Sequence, residues 1–223
     1  MCTQKYKFLS KEGDCWYSRN IELRRKNGIW DTLINKIYTL PFLYEKKNVL
    51  EIGCADGRNL SSLCNDKNIT CFGIDPSKKA IQQCRLEYPN LNLHVSTADS
   101  LPFADAVFDV VIFGFCLYLC DRDGLFCIAK EADRVLKKNG YLMIIDFYPP
   151  YNYKNIYHHC DGVFSFKMNY SNMFIWHPSY TLIETTSFSH NSDMFDISPD
   201  ERLALSIIYK EHEPQIPQTP YAR

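Results

Sequence analysis

The sequence predicts an α/β fold in which a mostly parallel sheet is covered by helices on both faces. Between residues 48 and 147, short apolar runs of strand length alternate with segments whose apolar residues recur at helical spacing. Strands that alternate with helices form parallel sheets, because each helix carries the chain back across the sheet. Ligands of such sheets bind at the carboxyl ends of the strands, so we expect the functional site there.

Composition limits the class of protein. The chain has 223 residues, 46% of them apolar, which suits one globular domain. Its 25 basic and 26 acidic residues give no basic excess, so we expect no nucleic-acid partner. The ten cysteines form no C-x-x-C pair, which favours reduced thiols and no bound metal. The N-terminus does not resemble a signal peptide, and no apolar run could cross a bilayer. We therefore expect a cytoplasmic protein with no membrane partner.

Three segments are predicted along the chain: a helical lid or cap at residues 1–47, the main α/β domain at 48–212, and a proline-rich tail at 213–223. Residues 1–20 show no clear period, whereas apolar residues from Ile21 to Tyr44 recur at roughly helical spacing. Gly28 is expected to break this stretch into two helices, and Pro41 is expected to end the second. The tail is expected to be extended.

The main domain contains five predicted strands, at residues 48–53, 70–75, 91–95, 108–113 and 141–147. Helices are predicted between them at Arg58–Asn65, after Pro76–Ser77, and at Gly124–Leu136, with Asn139–Gly140 stopping the last one. Pro76 is expected near the first position of its helix, where no backbone N–H is needed. A loop follows the fifth strand, and two further strands are predicted at Tyr180–Phe188 and Arg202–Lys210.

The turn after the first strand, Glu51-Ile52-Gly53-Cys54-Ala55-Asp56-Gly57, is the most informative segment. Its glycines let the backbone turn sharply and approach a ligand closely. The G-x-G-x-x-G spacing of a dinucleotide site is absent, and the carboxylates of Glu51 and Asp56 would repel a pyrophosphate. The segment therefore favours a cationic ligand, such as a sulfonium that also carries an ammonium group.

Acidic residues also end or follow the next two strands. Asp75 ends the second strand, where a carboxylate can accept hydrogen bonds from ribose hydroxyls. Asp99 follows the third strand and is placed to accept a hydrogen bond from an adenine amino group. Phe103 and Phe115 are expected to flank the purine or the sulfonium. Together these residues predict a nucleoside ligand.

Four segments resemble, in order and spacing, the motifs of class I S-adenosylmethionine-dependent methyltransferases of the small-molecule, type 11-like group: V-L-E-I-G-C-A-D-G-R-N, G-I-D-P-S, A-D-S-L-P-F-A-D-A-V-F-D-V-V and E-A-D-R-V-L-K-K-N-G-Y-L-M-I-I-D. The resemblance covers about residues 48–147. It implies a single Rossmann-like sheet of seven mostly parallel strands, closed by an antiparallel last pair. It also implies S-adenosylmethionine as cofactor, with S-adenosylhomocysteine as product. One departure is Cys54-Ala55-Asp56, where many members have a third glycine.

The resemblance also implies roles for individual residues. The backbone around Gly53 would contact the methionine portion, and Phe115 and Tyr118 would lie beside the sulfonium. Glu51 or Asp56 has an alternative as a helix cap, and Phe115 as a core residue. The full expected cofactor set is Glu51, Gly53, Cys54, Asp56, Gly57, Asp75, Pro76, Ala98, Asp99, Ser100, Phe115, Tyr17 and Arg19.

Residues for the methyl acceptor are expected outside these motifs. Arg19 could pair with the methionine carboxylate or with an acidic acceptor. A hydroxyl or amine acceptor needs a base, for which His177 and Tyr118 are the catalytic candidates, whereas a phosphate or carboxylate oxygen needs none. The alternative for His177 is a structural role, and His190 is expected at the surface. The expected acceptor-binding residues are Trp16, Asn20, Tyr148, Tyr151, His158 and Lys167.

We therefore expect a methyltransferase that acts on a small polar metabolite, most often at oxygen. A glycan or natural-product precursor is the favoured acceptor, and a phosphate-like or phosphoramidate-like oxygen is kept open. The alternatives are an N- or C-methyltransferase on another metabolite and a non-catalytic subunit that only binds the cofactor. A monomer or homodimer is expected.

Overall fold

The computed structural model describes residues 3–24, 29–40, 45–190, 192 and 194–212. The strands are β1 (Lys47–Ile52), β2 (Ile69–Asp75), β3 (Asn92–Val95), β4 (Phe108–Gly114), β5 (Leu136–Phe147), β6 (Tyr153–Ile156), β7 (Phe164–Lys167), β8 (Tyr180–Ser189) and β9 (Arg202–Lys210). The helices are α1 (Gln4–Lys7), α2 (Gly13–Arg24), α3 (Ile29–Tyr38), α4 (Arg58–Leu63), α5 (Lys78–Glu87), α6 (Leu125–Val135) and α7 (Asn172–Ile175).

Seven strands form the main sheet in the order β3-β2-β1-β4-β5-β9-β8. The first five strands pair in parallel, whereas β9 is antiparallel to both of its neighbours. The predicted seven-stranded Rossmann-like sheet with an antiparallel last pair is therefore confirmed. The chain moves outward from β1 to β3 and then returns to place β4 on the other side of β1. This reversal of strand order opens a cleft at the carboxyl ends of β1 and β4.

The central strands are apolar along their whole length because helices cover both faces of the sheet. Val49 and Leu50 in β1 are fully buried, as is the run from Val110 to Phe113 in β4. Burial of every successive side chain requires a layer on each side, since side chains of a strand alternate between faces. The continuous apolar runs in the sequence are explained by this two-sided packing.

Three local features differ from the sequence predictions. The N-terminal helices begin at Gln4, well before Ile21, and a π-helical turn at Phe8–Glu12 joins α1 to α2. Helix α6 ends at Val135, and β5 begins at the next residue, so Asn139 does not stop a helix. Asn139 instead has a left-handed backbone with φ of 62° inside β5, beside an irregularity in its pairing with β4. Strands β6 and β7 form a separate two-stranded sheet in a segment that was predicted to be a loop.

Pro76 also lies one step earlier than predicted. Ser77 is the N-cap of α5, and its hydroxyl accepts a hydrogen bond from the Ala80 N–H. Pro76 therefore precedes the cap rather than starting the helix. Gly28, Pro41 and the tail at 213–223 lie outside the described residues. Within the described part of the chain, no helix combines the length and apolar character needed to cross a membrane.

Gly57 provides a stability test. Its φ of 67° is left-handed, and a Cβ there would collide with the sulfur of Cys84. We expect Gly57→Ala to lower the free energy of unfolding by about 2 kcal/mol or more, from backbone strain and overpacking together. Urea denaturation measures this loss.

Gly124 is the matched control, because a Cβ there meets nothing within 4 Å and its φ is −85°. Gly124→Ala should change stability by less than about 1 kcal/mol. Equal losses in the two variants would contradict the steric account of Gly57.

Candidate cofactor and acceptor site

A cavity lies at the carboxyl ends of β1, β2 and β4. Its lining residues are far apart in the sequence but adjacent at this edge of the sheet. Of the residues predicted for the cofactor or acceptor, it is lined by Trp16, Gly53, Asp75, Pro76, Ala98, Asp99 and Phe115.

The glycine turn forms the floor of the cavity. Gly53 has a φ of 80°, and a Cβ there would lie 2.7 Å from Cβ of Cys116, so this tight turn requires glycine. Ala55 occupies the position of the missing third glycine and adopts a left-handed φ of 47°. Its backbone N–H donates to Oδ2 of Asp75 at 2.9 Å. The strained turn is therefore held by the strand that supplies the next acidic residue.

Glu51 and Asp56 are buried beneath the cavity and do not line it. The Glu51 carboxylate accepts a hydrogen bond from Nδ2 of Asn59 at 2.7 Å. A Cβ on Gly114 would lie 2.5 Å from Oε1 of Glu51, so this carboxylate crosses to the end of β4. The prediction of direct cofactor contact by these two carboxylates is therefore corrected, because their side chains point into the protein. Cys54 and Gly57 are likewise buried and lie outside the lining.

Asp75 lies at the cavity wall with both oxygens already engaged by backbone groups. Besides the bond to Ala55, Oδ1 accepts a hydrogen bond from the Ser77 N–H at 2.8 Å. Each carboxylate oxygen can accept a second bond, so capacity remains for ribose hydroxyls. The carboxylate is thereby fixed in orientation before any ligand arrives.

Asp99 lies on another side of the cavity and pairs with Lys5 of α1. Nζ of Lys5 is 2.7 Å from Oδ2 of Asp99. Burial acts to raise the pKa of Asp99, but hydrogen bonds from Lys5 and Thr97 outweigh it and lower the pKa below its ordinary value. Ser100, which was also predicted for the cofactor, is exposed and does not line the cavity.

The N-terminal helices form a lid over this cavity, and two sets of hydrogen bonds hold it. At one end, backbone N–H groups of Gln4 and Lys5 each donate to Asp121 at 3.0 Å. The buried Gln4 side chain also donates to the carbonyl of Leu119 at 2.8 Å and accepts from the Phe164 N–H at 2.8 Å. The first of the two attachments therefore joins α1 to the segment after β4 and to β7.

The second attachment lies at the start of α2. Oδ1 of Asp14 accepts from the Ser77 hydroxyl at 2.7 Å and from the Lys79 N–H at 2.9 Å, next to the Asp75 turn. Trp16 lines the cavity, whereas Tyr17 is buried against Ala55 outside it. Hydrogen bonds therefore hold the lid at Asp121, after β4, and at Ser77 and Lys79, after β2.

Arg19 has a partner within the protein. Its Nη2 lies 2.5 Å from Oε1 of Glu12 and 2.8 Å from the Tyr157 hydroxyl, which itself donates to Glu12 at 3.0 Å. Glu12 is buried at the end of the π-helical turn. This triad joins the lid to the segment between β6 and β7, and it replaces the predicted contact of Arg19 with the cofactor or acceptor.

Four rings pack together beside the cavity. Ring centroids of Phe115 lie 4.8 Å from Tyr118, 5.2 Å from Phe147 and 5.3 Å from His190. The His190 ring is also 5.3 Å from that of Phe147. Phe115 adopts a left-handed φ of 57°, which is rare for an aromatic residue and turns the chain sharply after β4. We call these four residues the aromatic cluster.

The buried carboxylate of Asp146 holds the cluster from below. It accepts hydrogen bonds from the N–H groups of Leu117 at 2.9 Å, Tyr118 at 3.3 Å and Phe147 at 2.8 Å. Burial raises the pKa of Asp146 to about 7, although these N–H groups oppose the shift. Burial also raises the pKa of Tyr118 well above its ordinary value, so Tyr118 keeps its proton near neutral pH and is a poor base.

His177 lies far from the cavity, and its predicted role as base is corrected. It precedes β8 at the amino end of that strand, and its Nδ1 accepts from the Ser179 N–H at 3.1 Å. The cavity lies at the carboxyl end of the same sheet. A ten-residue strand separates the two ends by about 30 Å, which is too far for proton transfer.

The other residues that were predicted to bind the acceptor differ in their distance from the aromatic cluster. Lys167 is buried against the Phe147 ring at 4.0 Å, and its Nζ pairs with Asp200 at 2.7 Å. Tyr148 is half-buried, while Tyr151 and His158 are exposed and do not line the cavity. The last acceptor candidate, Asn20, donates to the carbonyl of Trp16 within α2 at 2.8 Å. Of the predicted acceptor residues, the structure thus brings Lys167 to the Phe147 ring and Trp16 to Tyr118 of the aromatic cluster.

Comparison with known proteins agrees with this geometry. Residues 50–144 match the family model described as a methyltransferase domain. A stretch of 127 residues is 30% identical to a demethylmenaquinone methyltransferase of Chlorobaculum parvum, covering 52% of each chain. A stretch of 107 residues is 28% identical to an uncharacterized methyltransferase of Synechocystis, covering 48% of this chain and 50% of that protein. The chain spans about half the length of the curated relatives it matches.

Solved structures show the same fold. The 1,6-didemethyltoxoflavin-N1-methyltransferase of Burkholderia thailandensis, crystallised with 1,6-didemethyltoxoflavin and S-adenosylhomocysteine, superposes with a TM-score of 0.69 at 11% identity over 93% of this chain and 87% of that chain. A SAM-dependent methyltransferase of Methanosarcina mazei gives a TM-score of 0.62 at 18% identity, over 77% and 96% respectively. Residues 50–144 are therefore similar to a methyltransferase domain, and the sheet as a whole shares its fold with S-adenosylmethionine-dependent methyltransferases.

The cavity fits S-adenosylmethionine. The backbone of Gly53 lines the cavity in a turn that excludes a side chain, and the oriented carboxylate of Asp75 suits the ribose hydroxyls. Asp99 would accept from the adenine amino group, and Phe115 would lie near the sulfonium. Lys5 and Trp16 of the lid would close over the ligand. The other lid residues that line the cavity, Lys5, Phe8 and Gly13, were not predicted, because residues 1–20 show no amphipathic period.

Asp75→Ala tests the ribose assignment. The change should weaken binding of S-adenosylhomocysteine at least tenfold, because charge-assisted hydrogen bonds contribute about 1.5–3 kcal/mol each. Isothermal titration calorimetry measures the affinity. Asp105→Ala is the control, since that carboxylate is 78% exposed and precedes the amino end of β4. Unchanged affinity in Asp75→Ala would exclude Asp75 as a ribose ligand.

Gln4→Ala tests the attachment of the lid. Loss of its buried hydrogen bonds should increase amide hydrogen exchange in residues 4–12 and weaken cofactor binding several-fold, while the melting temperature of the sheet changes little. Gln83→Ala, at an exposed site on α5, is the matched control. Unaltered exchange in the lid would show that Gln4 does not hold it.

Proposed function

We propose that this protein transfers the methyl group of S-adenosylmethionine to an oxygen atom of a small, uncharged acceptor that contains a planar ring. The observation that carries the proposal is the aromatic cluster of Phe115, Tyr118, Phe147 and His190, packed beside the cofactor cavity. Aromatic walls suit a flat ring because offset and edge-to-face contacts between rings are favourable.

Local charge favours an uncharged acceptor over an anionic one. Three groups were candidates to bind an anion, and each is engaged or distant. Arg19 pairs with Glu12, Lys167 pairs with Asp200, and His177 lies at the opposite edge of the sheet. An anionic acceptor at Arg19 would have to displace Glu12, which would leave a buried carboxylate without its charge partner, and one at Lys167 would have to displace Asp200. A phosphate-like acceptor therefore has less support than a neutral one.

The protein's contribution to the reaction is alignment and exclusion of water. When bound, S-adenosylmethionine supplies a methyl group activated by positively charged sulfur. Asp75, Asp99 and the glycine turn would fix its nucleoside and methionine portions, and the aromatic cluster would hold the acceptor ring in line with the methyl carbon. Such positioning accounts for much of the rate enhancement in displacement reactions. The lid would cover the site, because Trp16 lines the cavity from above.

Transfer to nitrogen or carbon is the alternative, since a ring acceptor can present either atom. The curated relatives are named for different acceptors, among them demethylmenaquinone and phthiotriol/phenolphthiotriol dimycocerosates. These names do not agree on one acceptor for this chain. The histidine in the aromatic cluster favours an acceptor that must lose a proton, such as a hydroxyl or an amine, and of these we propose the hydroxyl.

A methyl-transfer screen tests the proposal. The enzyme is incubated with isotopically labelled S-adenosylmethionine and a panel of phenols, enols, hydroxylated heterocycles, sugars, phosphates and amines. We expect a methyl ether of a ring hydroxyl as product, identified by mass spectrometry and NMR. A product methylated only on phosphate, nitrogen or carbon would contradict the assignment to oxygen.

Phe115→Leu should raise the KM for the acceptor by about tenfold, because an aromatic contact is lost along with buried area. Phe126→Leu is the matched control on the outer surface of α6, where the side chain is 84% exposed. If neither variant changes KM, the aromatic cluster does not bind the acceptor.

A further inference from the structure

We infer that His190, oriented by Glu201, accepts the proton that the acceptor hydroxyl loses during methyl transfer. This inference rests on the proposed function, since it requires an acceptor that carries a proton. His190 follows the last residue of β8, and the carboxyl end of β8 lies at the same edge of the sheet as the cavity. Its ring contacts Phe115, which itself lines the cavity.

Glu201 is the carboxylate beside Nδ1 of His190, at ion-pair distance rather than in a hydrogen bond. Nδ1 of His190 lies 3.5 Å from Oε2 of Glu201, and the His190 backbone N–H donates to the Glu201 carbonyl at 3.2 Å. A carboxylate beside Nδ1 favours the tautomer that carries its hydrogen there. Nε2 is then left with the lone pair that a base needs. Glu201 is a positioning residue, because it acts through His190.

The surroundings of His190 keep it neutral and therefore able to take a proton. Its ring packs between Phe115 and Phe147, and its side chain is 33% exposed. Burial lowers the pKa of His190 below its ordinary value; Glu201 opposes this shift and Lys167 adds to it. Lys167 is itself paired with Asp200. These are the charged groups that face the imidazole from β7 and from the start of β9.

A lone pair of the acceptor oxygen forms a bond to the methyl carbon, and the bond from carbon to sulfur breaks with its electron pair left on sulfur. The hydroxyl proton passes to Nε2 of His190 and later to solvent. The positive charge thus leaves the sulfur and appears on the imidazole, so the total charge of the site is unchanged. A nearby Glu201 carboxylate stabilises the imidazolium that forms.

Histidine titration by NMR tests the position of His190 without knowledge of the acceptor. The pKa of each histidine is measured in complexes with S-adenosylhomocysteine and with sinefungin, a stable analogue that carries a positive charge at the methyl position. We expect the pKa of His190 to be lower by about half a unit or more in the sinefungin complex, because like charges repel at short range. The ring resonances of His177 should be the same in both complexes. Equal values for His190 would overturn the inference.

Variants test the chemistry on the acceptor found in the screen. His190→Gln should lower kcat by at least about a hundredfold while the affinity for S-adenosylhomocysteine holds. Glu201→Gln should lower kcat less and shift the acid limb of the kcat/KM profile to lower pH, because loss of the carboxylate lowers the pKa of His190. His94→Gln, at an exposed position on β3, is the control.

Two results would overturn the inference at this stage. One is a His190→Gln enzyme that keeps nearly full turnover, and the other is a collapse of turnover in His177→Gln alone. Failure of the proposed function has a different signature: the wild-type enzyme then yields no methyl ether, while the histidine titration still reports whether His190 lies near the sulfur.

Discussion

The carboxylate of Asp75 connects the parts of the protein that surround the cofactor cavity. One oxygen binds the N–H of Ala55 in the glycine turn, and the other binds the N–H of Ser77 at the start of α5. The Ser77 hydroxyl then binds Asp14 in the lid. The turn after β1, the helix after β2 and the lid are therefore fixed relative to one another through one side chain at the end of β2.

This arrangement explains how the turn tolerates Ala55 at a position where many family members have glycine. A left-handed alanine costs about 1–2 kcal/mol relative to its preferred conformation. The hydrogen bond to Asp75 and the packing of Ala55 against Tyr17 of the lid offset this cost. Binding-site geometry and lid position are consequently coupled, because the same residues stabilise both.

The acceptor side is built on a different principle. Its aromatic cluster combines residues that follow β4, β5 and β8, and the buried Asp146 holds two of these segments by accepting their N–H groups. Hydrophobic packing, rather than polar bonding, defines the shape of this side. The two halves of the site therefore differ in character, with polar, pre-oriented groups around the nucleoside and aromatic rings where the acceptor would bind.

The sequence alone predicted the sheet and several of the residues that line the cavity, among them Gly53, Asp75 and Asp99. Apolar runs buried on both faces and the acids at strand ends are local signals, because each lies within one strand and the turn that follows. Gly53, Asp75 and Asp99 could be placed for this reason, and so could the antiparallel pair of β8 and β9. The burial of Glu51 was not predictable, since it depends on the space left by Gly114 in a neighbouring strand.

Only the tertiary structure showed which residues lie near the aromatic cluster and which partners the lid residues have. His177 and His190 look alike in sequence, each beside a predicted strand, but β8 places them at opposite edges of the sheet. Arg19 looked available, but the fold brings Glu12 and Tyr157 to it. Long-range packing brings these partners together, and no local pattern encodes it. The sequence therefore specifies the sheet and several residues that line the cavity, whereas the aromatic cluster and the partners of Arg19 are specified by contacts between distant segments.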